Sequence, residues 1–170
     1  MDVFYGGAIQ GAQNRRERAD VHQAIIGKIK ELGYHVLTEH TTGKSYDEAI
    51  KRLEESIGPL PKDDLERRRY VRDKMIQFVE SDVVAAVFEI SIPSLGTGIE
   101  FAHAYLRPRM GLKEIPVVGL YQKDYWPNKL STMIRGISKD KISSVTIYEY
   151  QDVNDANRYL EEFFKSLKRS

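Results

Sequence analysis

Apolar and polar positions divide this chain into two kinds of segment. Five short runs are dense in Val, Ile, Phe and Tyr: Asp2 to Ile9, Tyr34 to Thr38, Val83 to Ile90, Ile115 to Tyr121 and Ser144 to Tyr148. Each predicts a strand. Between them apolar residues recur at three and four, the period of an amphipathic helix. Arg15 to Leu32 places Ala19, His22, Ile25, Ile26, Ile29 and Leu32 on one face, with Asn14 as N-cap and Gly33 as stop. Ser45-Tyr46-Asp47-Glu48 resembles a capping box and opens a helix to about Ile57, which Gly58-Pro59-Leu60-Pro61 breaks. Asp63 or Asp64 caps a charged helix through Glu80, with Leu65, Tyr70 or Val71, Met75, Phe78 and Val79 as its apolar face. A further helix runs to about Arg107, where Pro108 ends it, and Leu130 to Ile137 predicts a short one. The last helix, Asp152 to Leu167, turns Val153, Ala156, Tyr159, Leu160, Phe163 and Phe164 inward.

Strands alternating with helices, and apolar on both faces, predict a parallel sheet covered on both sides. The expected fold is a three-layer α/β domain over residues 1–170 with a five-stranded parallel sheet. Ligands of such sheets bind at the carboxyl ends of the strands. Two glycine-bearing turns fall there. One is Gly6-Gly7-Ala8-Ile9-Gln10-Gly11, after the first strand; the other is Ser91-Ile92-Pro93-Ser94-Leu95-Gly96-Thr97-Gly98-Ile99-Glu100, after the third.

Composition narrows the chemistry. At 170 residues the chain is long enough to bury a core, and 41% hydrophobic with 30% charged residues suits a soluble protein. A net charge of +1 gives no field that favours nucleic acid or membrane. The absence of cysteine excludes disulfides and thiolate chemistry. Met1 leads straight into a strand-like run, so no secretory leader is expected, and no apolar run approaches the ~20 residues of a membrane span. A cytoplasmic protein is the expectation. The four histidines, His22, His35, His40 and His103, have no metal-ligand spacing, so neither a metal nor another cofactor is expected.

The residues at the two turns have more than one reading. The first glycine turn lacks G-x-G-x-x-G; it is either a tight strand-to-helix turn or a phosphate cradle. Glu100 either complements the helix dipole or acts in chemistry. Asp73 on its charged helix is by default solvated and paired with Arg69 or Lys74. Together two carboxyl groups suit glycosidic bond cleavage, in which one attacks or stabilises the anomeric carbon and the other manages a proton. Ser94 lacks a nucleophile elbow. Arg67-Arg68-Arg69 alternates with acids and reads as a solvated face, whereas Tyr121, Tyr125 and Trp126 could stack a base, meet a partner or cover the core.

Four segments in one order carry a resemblance: Phe4 to Gly11, Val36-Leu37-Thr38-Glu39-His40, Pro93 to Glu100, and Leu130-Ser131-Thr132-Met133-Ile134-Arg135-Gly136. They resemble the 2′-deoxynucleoside 5′-monophosphate N-glycosidases, within the wider nucleoside 2-deoxyribosyltransferase family. The resemblance implies a flavodoxin-like Rossmann fold, a homodimer, and a small nucleotide or nucleoside as substrate. It implies that Glu100 attacks C1′ of the sugar, that Asp73 assists the leaving base or orients the sugar, and that water then releases the sugar phosphate. The first-strand loop, Gly7, Ile9, Gln10 and Gly11, would embrace the nucleotide, Phe4 and Tyr5 would contact the substrate from the first strand, and His40 would line the base or sugar pocket. Ser94 and Gly96 would hold the 5′ end, Gly98 would also contact the substrate, and Ser131 and Met133 would complete the neighbouring subunit's site. Three departures stand out. Gln10 replaces an arginine of the hydrolases, Phe4 replaces the family tyrosine with Tyr5 beside it, and residues 45–61 form an added helical segment. A transferase that exchanges bases and a non-catalytic nucleotide-binding module are the alternatives. The P-G-G-x-G-T-x-x-E segment of the cytokinin-type phosphoribohydrolases is not matched.

Overall fold

A computed structural model describes residues 1–8, 15–125, 130–137 and 142–168. The element order is β1 (Asp2–Gly7), α1 (Arg15–Glu31), β2 (His35–Val36), α2 (Tyr46–Ile57), α3 (Asp64–Glu80), β3 (Ala85–Glu89), α4 (Leu95–Leu106), β4 (Val117–Gln122), α5 (Thr132–Arg135), β5 (Val145–Tyr150) and α6 (Val153–Leu167). Single 3-10 turns lie at His40–Thr42 and Arg107–Met110. The five strands pair in the order β2-β1-β3-β4-β5, and every pairing is parallel. This is the expected three-layer α/β architecture.

Alternation along the strands feeds two separate cores. On one face Val3, Tyr5, Val36, Val87, Val118 and Leu120 pack with Ile25 and Ile29 of α1 and Leu160 and Phe164 of α6. On the other, Phe4, Ala86, Phe88 and Val117 pack with Val79 of α3 and Phe101 and Ala104 of α4. Phe4 and Tyr5 therefore point to opposite faces, as pleating requires. A smaller third cluster, Leu53, Ile57 and Met75, joins α2 to α3.

Caps fix where the helices begin. Ser45 accepts from the Glu48 N–H, and Asp63, not Asp64, accepts from the Glu66 N–H. Asn14 lies outside the described residues. Leu65, expected on the apolar face of α3, is 54% exposed. Its turn has nothing to pack on: α3 has 17 residues and is about 25 Å long, whereas β3 has five and spans about 17 Å. The first turns of α3 therefore overhang the carboxyl ends of the strands. Among the described residues no helix is long and apolar enough to cross a membrane.

Candidate active site

A cleft of about 810 Å³ opens at the carboxyl end of β1, beside the start of α4, a size common for small-molecule sites. Its floor is Phe4, Tyr5, Gly6 and Gly7 of β1. One wall is the start of α4, with Ser94, Gly96, Thr97, Ile99 and Glu100. The facing wall comes from α2 and the overhanging half of α3, including Leu53, Val71, Arg72 and Met75.

Glu100 is half-buried, and burial pushes its pKa up to about 7. Its seat depends on Gly6. A Cβ at that position would lie 2.5 Å from the Phe88 ring and 3.2 Å from Glu100 Oε2. The glycine thus lets the carboxylate lie close over the strand. Ser94 caps α4, its Oγ accepting from the Thr97 N–H at 3.3 Å. The early N–H groups of α4 form an electropositive end next to the cleft, suited to an anionic ligand group.

At the other end of the floor, a Cβ at Gly7 would strike His22 Cε1 at 2.5 Å. His40 lines the cleft, and burial, with His22 nearby, lowers its pKa to about 4. His40 is therefore a neutral imidazole at physiological pH, and its buried Nδ1 has no hydrogen-bond partner among the described residues. Among the described residues no group of three His, Cys, Asp or Glu side chains could hold a metal ion.

No protein-family model matches the chain. Whole-length relatives do. The chain is 32% identical over 167 residues to a protein of Nematostella vectensis provisionally named 2′-deoxynucleoside 5′-phosphate N-hydrolase 1, covering 97% of this chain and 95% of that one. The chain belongs to the 2′-deoxynucleoside 5′-phosphate N-hydrolase family. A Thermofilum pendens protein with the same provisional name is 30% identical, over 95% of this chain and 93% of the relative. One from Methanosarcina mazei is 26% identical, over 97% and 84%.

The structure gathers some of the residues expected from this N-hydrolase family and separates others. Phe4, Tyr5, Gly7, His40, Ser94, Gly96 and Glu100 all line the one cleft. Gly98, exposed on α4, lies beside Ser94, Leu130 and Ser131 around a separate 40 Å³ cavity. Ser131 caps α5, and Met133 is 84% exposed. Neither borders the Glu100 cleft of its own chain. Asp73 is not among the cleft residues. Its carboxylate is exposed on α3 and bonds Arg72 at 2.8 Å, rather than Arg69 or Lys74. Asp64, Arg67, Arg68 and Arg72 do border the cleft, so part of the expected solvated face is a wall. Ile9, Gln10, Gly11 and Trp126 lie outside the described residues.

Two features of the site are not in the expectations from sequence. The first is the α2–α3 wall, which depends on how far α3 overhangs. The second is a buried polar cluster beside the floor, centred on Arg18 and Glu89, 1% and 0% exposed in their side chains. Its signal is present in the sequence: a glutamate within the apolar run Val83 to Ile90. A buried carboxylate requires a partner.

Proposed function

We propose that this protein hydrolyses the N-glycosidic bond of nucleoside 5′-monophosphates, with 2′-deoxynucleotides as the preferred class. Family membership supports the reaction, and the placement of Glu100 against Gly6 in the cleft is the observation that carries it. The 5′-phosphate sits toward Ser94 and Gly96, where the start of α4 offers N–H groups. C1′ sits at Glu100, and the base extends toward His40 and the α2–α3 wall. The ionised Glu100 attacks C1′; the C1′–N bond breaks and its electron pair leaves with the base. Neutral His40 donates a hydrogen bond to that base. Water then cleaves the glycosyl ester: its hydroxyl joins C1′, its proton goes to the departed base, and the Glu100 carboxylate is regenerated as deoxyribose 5-phosphate is released. We assign Asp73 no part in the chemical step, because its carboxylate faces solvent beside Arg72.

The test is product analysis. Deoxynucleoside and ribonucleoside monophosphates, and the matching nucleosides without phosphate, are incubated with the protein and the free base is measured. Release of base from the deoxynucleoside monophosphates is expected; no base from any compound overturns the proposal. Gln10, in place of a family arginine, motivates a second reading as a base-exchanging transferase. Adding a second base decides it: a new nucleoside or nucleotide supports transfer, and free sugar phosphate alone rejects it.

The working unit in this proposal is a homodimer. Leu95 (91% exposed), Ile99 (54%) and Met133 (84%) are large apolar side chains open to solvent close to the site. A partner copy covering them would bring Ser131 and Met133 to the neighbouring cleft. Light scattering that finds only monomer at micromolar concentration would reject this arrangement.

A further inference from the structure

The polar cluster beside the cleft ties together the ends of four elements. Arg18, one turn into α1, forms an ion pair with Glu89 Oε2 at 2.7 Å. It donates through Nη1 to Gln122 Oε1 of β4 at 2.7 Å and through Nη2 to the Tyr150 hydroxyl of β5 at 3.3 Å. Its guanidinium also lies 4.6 Å over the Tyr125 ring, in the connection after β4. Glu89, the last residue of β3, accepts through Oε1 from the Tyr150 hydroxyl at 3.0 Å and from both the N–H and the hydroxyl of Ser91. Ser91 Oγ in turn accepts from the Gln122 N–H at 2.7 Å. On the cleft side, the Tyr5 hydroxyl and His22 Nδ1 are hydrogen-bonded at 2.7 Å.

Stability alone gives no reason for this arrangement. A buried ion pair loses about as much in desolvation as it gains, and apolar residues of similar volume commonly serve as well or better. The opposite ends of the same strands are built that way, with Val3, Ala85, Ala86, Val117 and Val145. The polar cluster is confined to the carboxyl ends, where the site is. Moreover, its bonds hold specific backbone. Glu89 grips Ser91, three residues before the Ser94 cap that starts the helix bearing Glu100. Arg18 belongs to the first turn of the helix that follows the glycine-bearing β1 connection.

We infer that the buried Arg18–Glu89 pair is a positioning device that holds the start of α1 in register with the Ser91–Ser94 turn, and so places Glu100 against the substrate floor. Arg18 and Glu89 are positioning residues; neither borders the cleft. The inference rests on the reading of Glu100 as the group that attacks C1′.

The experiment replaces the pair with apolar side chains of similar length, Arg18→Met with Glu89→Met, and separately makes Glu89→Gln. Three quantities are measured: the melting temperature, kcat and KM for a deoxynucleoside monophosphate, and the titration of the Glu100 carboxyl by carbon NMR. The expected double variant keeps its melting temperature within a few degrees but loses kcat on the order of 10²-fold, the scale of an ångström misplacement of a reacting group. KM changes less than kcat. Glu100 titrates nearer the ordinary carboxyl range, because it no longer sits as deeply against Gly6. Glu89→Gln, which keeps acceptors for Ser91 and Tyr150, recovers part of kcat. A pair that merely supports the fold would lower the melting temperature and leave kcat per folded molecule and the Glu100 titration unchanged; that result overturns the inference. If the double variant does not fold, Glu89→Gln decides by kcat per folded molecule and the Glu100 titration, because Arg18 left without its counterion lowers the melting temperature in either case. If the wild-type protein releases no base, the functional reading fails, and the Glu100 titration still reports whether the pair sets its position.

Discussion

The two walls of the cleft are built differently. The α4 wall rises from the central core: Phe88 and Phe101 are buried and stack edge to face, and Gly6 admits the Glu100 carboxylate beside them. The α2–α3 wall stands on its own small cluster, Leu53, Ile57 and Met75, beyond the ends of the strands. It lines the cleft with Leu53, Val71 and Met75 and with Arg67, Arg68 and Arg72. The difference assigns the work. In the proposed reaction, bond breaking needs a group held to a fraction of an ångström, which suits the core-backed wall. The overhanging wall is suited to choosing the base.

The largest effect that would sharpen this contrast is at Glu100, the carboxylate proposed to attack C1′. Glu100→Ala is expected to lower kcat by on the order of 10³-fold or more, the scale of removing a nucleophile, with the melting temperature little changed. Gly6→Ala comes next. Its Cβ would meet Phe88 at 2.5 Å and press on Glu100 at 3.2 Å, so kcat should fall on the order of 10²-fold and stability by about 1–3 kcal/mol, read by denaturant unfolding.

Titration of the same group gives an effect of intermediate size. In the proposed reaction Glu100 attacks in its ionised form, so kcat/KM should rise about tenfold per pH unit below its pKa of about 7 and level off above it. Stability should run the other way. The folded pKa of Glu100 is raised from an ordinary 4.5 to about 7. Its favourable contribution is therefore fully present below pH 4.5 and lost as pH rises through 7. Glu100→Gln should remove this part of the stability profile. A kcat/KM profile flat from pH 5 to 8 would contradict the assignment.

Smaller effects are expected across the cleft. Leu53→Ala or Met75→Ala should alter the ratio of kcat/KM between large and small bases by about tenfold, the scale of a methylene-sized change in an apolar pocket, with a smaller effect on kcat for the best substrate. Asp73→Asn should change kcat by less than about threefold, because an exposed pair with Arg72 contributes little. A loss of 10²-fold at Asp73 would overturn the division of work between the walls.

Much of this molecule is legible in its sequence, and the reasons are local. Runs such as Ala85-Ala86-Val87-Phe88 are apolar on both faces and so read as strands of a covered parallel sheet. The caps at Ser45 and Asp63 follow from short-range hydrogen bonding. Glu100 is legible as a residue of the cleft because it follows a glycine-bearing turn at the carboxyl ends of the strands. Features set by long-range geometry are not. Asp73 and Arg72 are adjacent in sequence, yet only Arg72 borders the cleft, because the helix turns the two side chains to different faces. Leu65 is apolar but exposed, because α3 outruns the sheet it packs on. The Arg18–Glu89 partnership joins distant parts of the chain, and only the lone charge in an apolar strand hints at it.

The most direct test of the account compares wild-type protein with Glu100→Ala at equal folded concentration, measuring base released from deoxynucleoside monophosphates by chromatography. The account predicts steady release by the wild type and none above the uncatalysed background by the variant. A variant that keeps pace with the wild type would contradict it.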